Sequence, residues 1–319
     1  MRIACSTLAI GMLVVTTLTA DSALGQQYPS KPIRMVTSPI GGSPDYVARV
    51  IAQAISAPLG QNIIIDNRPN GIIQAQIVAT APPDGYTLLV VSNVLWIEPL
   101  MKEAPYDAVK DFLPITLTNR STLILAVHPS LPITSVKELI ADAKARPGEL
   151  NYATGAAGTA SHLAAELFKS MAGVSFVRIP YKGSALATTD LLSGRVQLSF
   201  YSPPSVITHI KSGRLRALAV TSPRPSALLP DLPTVAESIP GYDASSAYGI
   251  FAPARTPAAI INQVNQVTVR FLKTAEAKEK FLNVGSDVVG SSPRELADYI
   301  KLDLPRWNKI IKEGGIRAE

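Results

Sequence analysis

The sequence predicts an α/β protein of two domains, each built on a doubly wound sheet, and three observations carry that reading. Short aliphatic runs at residues 33–36, 62–66 and 86–91 are separated by two stretches of helical periodicity, the alternation expected of a parallel sheet. The sequence of strand, small-residue turn and helix then recurs at residues 151–171. A length of 319 residues suits two domains.

Residues 1–25 read as a cleavable leader that sends the chain to the periplasm. Arg2 supplies the positive start, residues 8–18 form an apolar run too short to span a bilayer, and Ala23 and Gly25 place small residues where a signal peptidase needs them. The only cysteine, Cys5, lies in this leader. The mature chain therefore has neither a disulfide nor a thiolate metal site, and its core must hold it together. No later stretch has the uninterrupted apolar length of a membrane helix. The net charge of +6 is spread over scattered Lys and Arg residues. That pattern argues against a nucleic-acid partner and is compatible with an anionic small molecule.

The first strand passes through a Pro- and Gly-rich turn, residues 38–45, into the periodic run 47–55. The first amides of a helix have no intrahelical partner, and the helix dipole places partial positive charge there. Glycines let a carboxylate approach that main chain. Ser38, Ile40, Gly41 and Gly42 are therefore candidates for ligand contact, while Asp45 either orients the turn or touches ligand. The strand at 62–66 ends in turn chemistry at 67–71 and a helical run at 72–80, which brings in Asn70 and Gln74. The strand at 86–91 ends at Ser92 and Asn93. Ligands of open α/β sheets bind at the carboxyl ends of the strands, so these turns are expected to converge.

Residues 112–118 and 123–127 read as extended, separated by polar Asn119, Arg120 and Ser121, where the chain is expected to cross into its second domain. On that reading domain 1 comprises residues 26–122 and 247–319, and domain 2 residues 123–246. Ser135 with Glu138 is a capping box. The strand at 151–153 then opens through Thr154, Gly155, Gly158 and Thr159 into a helix at 161–171, with both threonines either caps or ligand donors. His162 with Glu166 has helical i,i+4 spacing, which fits a helix-face hydrogen bond or a pair of metal ligands. Strands at 176–179, 197–201 and 216–220 alternate with helices at 184–192 and 204–211. Tyr181 and Lys182 follow one of these strands and Tyr201 ends another, positions compatible with ligand contact, packing or solvation. Asp190 is a structural acceptor or a ligand contact, and Trp96 reads as core. Residues 221–240 look like a surface connection, 248–253 like a strand crossing back, and 257–273 and 294–312 like the closing helices, the last capped by Ser292 with Glu295.

The usual catalytic signatures are missing: no G-x-S-x-G elbow, no G-x-x-x-x-G-K-[ST] loop and no H-E-x-x-H pair occurs. No cofactor or metal is expected. Two small-residue helix openings facing each other across a cleft suit a receptor that closes on an anion. A hydrolase using Asp45 and water on the same scaffold, or a sensory module with a signalling partner, are the alternatives.

The blocks Tyr28-Pro29-Ser30-Lys31-Pro32-Ile33-Arg34, Gly41-Gly42 with Asp45 and Ala48-Arg49, Leu59-Gly60-Gln61 and Asn67-Arg68-Pro69 occur in order. Pro83-Asp84-Gly85-Tyr86-Thr87-Leu88-Leu89, Tyr181-Lys182-Gly183, Asp190-Leu191-Leu192 and Leu232-Pro233-Thr234 follow. Taken together, these blocks resemble the Bug-type periplasmic receptors of tripartite tricarboxylate transporters. The resemblance implies a two-domain Venus-flytrap fold of the type II periplasmic-binding class. It also implies a small organic carboxylate held by the first turn through main-chain groups and ordered waters, with the second domain closing over the far end near Tyr181. A monomer delivering its ligand to membrane transporter subunits is the partner arrangement it implies. One stretch departs from the family pattern: Asn70-Gly71-Ile72-Ile73-Gln74 is shorter and poorer in glycine, so Ile72 or Ile73 is expected to narrow the pocket.

Overall fold

The computed structural model describes residues 28–69, 71–155, 158–181 and 184–317. In chain order its elements are β1 (Ile33–Thr37), α1 (Ser43–Leu59), β2 (Ile63–Asn67), α2 (Gly71–Ala79), β3 (Thr87–Ser92), α3 (Val94–Ile97) and β4 (Phe112–Ser121). Then come β5 (Ile124–Val127), α4 (Val136–Ala145), β6 (Asn151–Thr154), α5 (Ala160–Ala172), β7 (Val177–Pro180), α6 (Ser184–Leu192), β8 (Leu198–Tyr201), α7 (Pro203–Lys211) and β9 (Arg216–Val220). The chain closes with β10 (Ser246–Pro253), α8 (Ala258–Leu272), α9 (Ala275–Leu282), β11 (Ser286–Val288) and α10 (Pro293–Glu313). The leader, Asn70 and Lys182 lie outside the described residues.

Two sheets result. One has six strands in the order β11-β4-β10-β3-β1-β2, and the other has five, β7-β6-β8-β5-β9. The α/β alternation makes β1 parallel to β2 and β3, and β6 parallel to β7 and β8. Both sheets are nevertheless mixed. β10 runs antiparallel to β3 and β4, and β5 antiparallel to β8 and β9, because these strands enter from the crossings between sheets instead of from a βα unit. Asn119, Arg120 and Ser121 do not separate two strands as their polarity suggests; they finish β4. Their main chains pair with β10 and β11, Asn119 accepts from the Thr118 hydroxyl at 2.8 Å, and Arg120 is bonded to Asp243 and Tyr299.

Apolar periodicity accounts for the helix packing. Val47, Ala48, Ile51, Ile55 and Leu59 form the buried stripe of α1 against its sheet. Leu296, Ile300, Trp307, Ile310 and Ile311 do the same for α10, which starts in the expected Ser292–Glu295 capping box. The chain passes between the sheets after Ser121 and again before Ser246, and the two crossings are tied together. Leu123 N–H donates to Thr221 Oγ1 at 2.8 Å, Ala244 N–H to the Thr221 carbonyl at 3.1 Å, and Arg120 reaches Asp243 at 2.7 Å. The connection after β9 is more than a surface loop, since Thr221, Ser226, Val235 and Ile239 are all buried. Tyr248 sits inside β10, so the second crossing ends ahead of it, at Ser246.

Candidate functional site

The turn before α1 is a closed hydrogen-bonded unit. Asp45 is buried, and its carboxylate accepts from Gly41 N–H at 3.0 Å, Asn67 Nδ2 at 2.8 Å and Arg49 Nε at 2.9 Å. Burial pushes its pKa up, but the bonds from Arg49, Asn67 and Gly41 outweigh that and hold the carboxyl below its usual range. Gly41 has φ +83, a conformation that favours glycine, so the turn can fold back onto Asp45. Asp45 N–H in turn donates to Ser38 Oγ at 3.2 Å, Gly42 N–H goes to the Pro39 carbonyl, and Pro44 has no N–H. The main-chain donors of Gly41, Gly42 and Asp45 are thus spent within the turn. Among the described residues, the amides of Ser38, Ile40 and Ser43 have no partner.

The start of α5 is open by contrast. Its N-cap, Thr159, is extended and makes no side-chain cap bond to the helix. Gly155 N–H goes to Ser161 Oγ and Gly158 N–H to His162 Nδ1, while the amides of Ala160, Ser161 and His162 have no partner among the described residues. Gly158, with φ +79, lets the turn pass close to Met101, whose Cε is 2.7 Å from where a Cβ would stand. The start of α7 is a poorer anion site, since Pro203 and Pro204 carry no N–H.

Three adjoining cavities connect these turns. The largest, about 480 Å³, is lined by Thr154, Gly155, Thr159, Tyr181, Tyr201 and Ser202, among others. The second, about 350 Å³, shares Thr159 and Ala160 with it and adds Ser92, Asn93, Gly158, Ser245 and Trp307. The third, about 240 Å³, shares Ser202 with the first and contains Gly41, Gly42, Ser43, Asn119 and Tyr248. Each takes residues from both sheets or from the crossings between them. None of the described lining residues is charged. A bound anion would therefore be held by amides, hydroxyls and helix ends. Asn119 Nδ2 and Trp307 Nε1 are buried with no partner among the described residues. The Tyr201 hydroxyl, beside those of Thr188 and Ser199, makes no hydrogen bond of sound geometry either.

Other candidates fall outside the cavities. Ile40 is 79 % exposed, and Ser38 faces the Asp45 turn. Gln74 is buried and donates to the Arg68 carbonyl at 3.0 Å, holding the turn after β2. Ile72 packs on the core and Ile73 is 37 % exposed, and neither lines any of these three cavities. Asp190 accepts from the Tyr181 hydroxyl at 2.8 Å and from Arg195, so it orients the tyrosine that lines the site. Asn119, Ser202, Ser245 and Trp307 were missed by sequence reasoning; only the Ser202-Pro203-Pro204 helix start carried a local signal.

His162 supports the α5 turn by accepting from Gly158 N–H at 3.0 Å, and the expected helix-face hydrogen bond to Glu166 is not made. Its Nε2 lies 3.8 Å from a Glu166 oxygen already bonded to Tyr152 and Lys169. Burial, with Arg178 nearby, lowers its pKa to about 4. A histidine with a depressed folded pKa is protonated more readily when unfolded. Its contribution to stability is therefore complete above the unfolded value of about 6.5 and is lost as pH falls towards the folded value. The expected loss is at most about 3 kcal/mol. Thermal unfolding between pH 7 and pH 4 should show a steeper fall for the native chain than for His162→Asn, and superimposable profiles would remove His162 from this role.

With this geometry in hand, comparison with known proteins is informative. The profile described as tripartite tricarboxylate transporter family receptor, TctC, matches residues 47–316. The chain belongs to the TctC family. Among curated relatives of this TctC chain, Protein BugT of Bordetella pertussis is 36 % identical over 317 residues, covering 97 % of each chain. Among solved structures, R. palustris Rpa4515 with adipate is 36 % identical with a TM-score of 0.76, covering 91 % of this chain and 99 % of that one. MatC (Rpa3494) from Rhodopseudomonas palustris with bound malate is 25 % identical with a TM-score of 0.72, covering 89 % and 100 %. The two-sheet architecture of this TctC chain is thus that of periplasmic binding proteins of the TctC and Bug type.

Proposed function

We propose that this chain is an exported periplasmic receptor that captures a small organic carboxylate between two lobes, residues 26–122 with 247–319 and residues 123–246. It then delivers the ligand, as a monomer, to the membrane subunits of a tripartite tricarboxylate transporter. The observation that carries this reading is the open start of α5, whose free amides stand where the two larger, uncharged cavities meet. Family membership supports it, as do the adipate and malate of the two R. palustris structures. A ligand touching both lobes stabilises the closed form by its difference in affinity for the two states. Catalysis has no foothold at Asp45, whose carboxylate is held by three donors and kept ionised.

The test is isothermal calorimetry of the mature chain against malate, adipate, citrate and benzoate, followed by mass spectrometry of the incubated ligand. At least one acid should bind with one-to-one stoichiometry and be recovered unchanged. At a hundredfold excess over Kd it should stabilise the fold by about 2.7 kcal/mol. Absence of binding to all four, or appearance of a product, would overturn the reading.

A further inference from the structure

Trp307 lies well inside α10 and is 2 % exposed, yet its indole N–H has no partner among the described residues. Trp96, the chain's other tryptophan, shows what a structural indole looks like here: it is equally buried and donates to Asp303 Oδ2 at 2.9 Å. Packing alone at position 307 would be served by a hydrocarbon ring, whereas a buried donor without an acceptor is a standing cost to the fold. Trp307 lines the cavity of about 350 Å³ between α3, α5 and the crossing at residues 244–246. Thr159 and Ala160, at the open start of the 13-residue α5, line the same cavity, as does Asn93. The Ser245 hydroxyl donates to Asp243 at 2.6 Å, so towards the cavity it can only accept. No carboxylate side chain lines the space among the described residues.

An unpaired buried indole, an open helix start and a side-chain amide around one cavity form a set of donors for an oxyanion. We propose that Trp307 is a ligand-binding residue: its indole N–H donates to the carboxylate held at the start of α5, with Asn93 as the second side-chain donor. This rests on the carboxylate-receptor reading and adds to it the place of the carboxylate and a residue that selects for it. The N–H is shut off from solvent, so the groups around it must shift for the carboxylate to reach it.

With only two tryptophans in the chain, the test is direct. A ¹H–¹⁵N spectrum of the mature protein contains two indole signals, assigned with Trp307→Phe or Trp96→Phe, whichever folds. On titration with whichever of malate, adipate, citrate and benzoate binds, the Trp307 indole proton should move downfield while that of Trp96, already bonded to Asp303, stays in place. Trp307→Phe should raise Kd about tenfold, equal to about 1.4 kcal/mol, without lowering the melting temperature of the unliganded protein. A stationary Trp307 signal in the presence of a bound acid, or an unchanged Kd in Trp307→Phe, overturns this assignment and leaves the receptor reading standing. Failure of the native chain to bind any of the four acids overturns the receptor reading, and this inference with it.

Discussion

Ala160→Pro is expected to weaken carboxylate binding roughly 10- to 100-fold while leaving the fold nearly as stable as before. The substitution removes one amide from the open start of α5 and changes little else. Proline is tolerated at the first position of a helix, where the lost N–H has no intrahelical partner and the fixed φ is already helical. It also demands an extended residue before it, and Thr159 has φ −66 and ψ 158. Ala160 is exposed, so the ring meets no packed neighbour. The same sequence already carries proline in the first turn of α1, α7 and α10. What disappears is a hydrogen bond to a charged group, worth about 1.5–3 kcal/mol. Calorimetry with whichever acid binds the native chain, alongside thermal unfolding, gives both readouts. A folded variant with unchanged affinity would move the anion away from α5. The start of α1 offers fewer donors, since Pro44 lacks one and Gly41, Gly42 and Asp45 use theirs within the turn.

That contrast between α1 and α5 marks where sequence reading stops. Both helix starts were legible as strand, small-residue turn and helix, because aliphatic runs, glycines and the following periodicity are local features. Whether their amides are free depends on partners brought in from a distance. Asn67, 22 residues beyond Asp45, completes the clamp that closes the first turn. The second turn stays open because its nearby acceptors bind other groups: His162 takes Gly158, and Ser161 takes Gly155. Polar side chains misled the reading of β4 for the same reason. Asn119 and Arg120 look like a loop until Thr118, Asp243 and Tyr299 are placed around them. Helix α9 was missed because only Ala277 and Phe281 of its eight residues are buried, too short a stripe to register as a period. Trp307 follows the apolar rhythm of α10 and so reads as core. Its unpaired N–H becomes visible only when the neighbours that might have accepted from it are seen elsewhere.

The largest stability effect should come from Asp303, the polar residue in the buried stripe of α10. Its carboxylate accepts from Trp96 Nε1 at 2.9 Å and from Arg306 Nη2 at 2.6 Å, joining α10 to α3 across 207 residues of chain. Asp303→Ala would leave the indole of Trp96, 1 % exposed, without an acceptor and Arg306 without its partner. Breaking a buried pair by removing one member costs about 3–5 kcal/mol, which for a chain of this size lowers the melting temperature by on the order of 10 °C. Asp303→Asn should be much milder, and the reason lies in the acid's own titration. Burial raises the Asp303 pKa more than the Arg306 charge and the Trp96 bond lower it, so the fold penalises the ionised form. Ionisation above the unfolded value of about 3.9 therefore subtracts from stability, and a neutral amide escapes that cost. The amide keeps an oxygen for Trp96, while Arg306, about a quarter exposed, can turn to solvent. Differential scanning calorimetry of the two variants at pH 7 distinguishes the cases. Equal losses for Ala and Asn would mean that the charge holds α10 in place, whereas an unchanged melting temperature for Ala would mean that Trp96 needs no acceptor at all. The expected order, native above Asn and Asn well above Ala, would place the hydrogen bond to Trp96 at the centre of the contact that positions α10, and with it Trp307, beside the cleft.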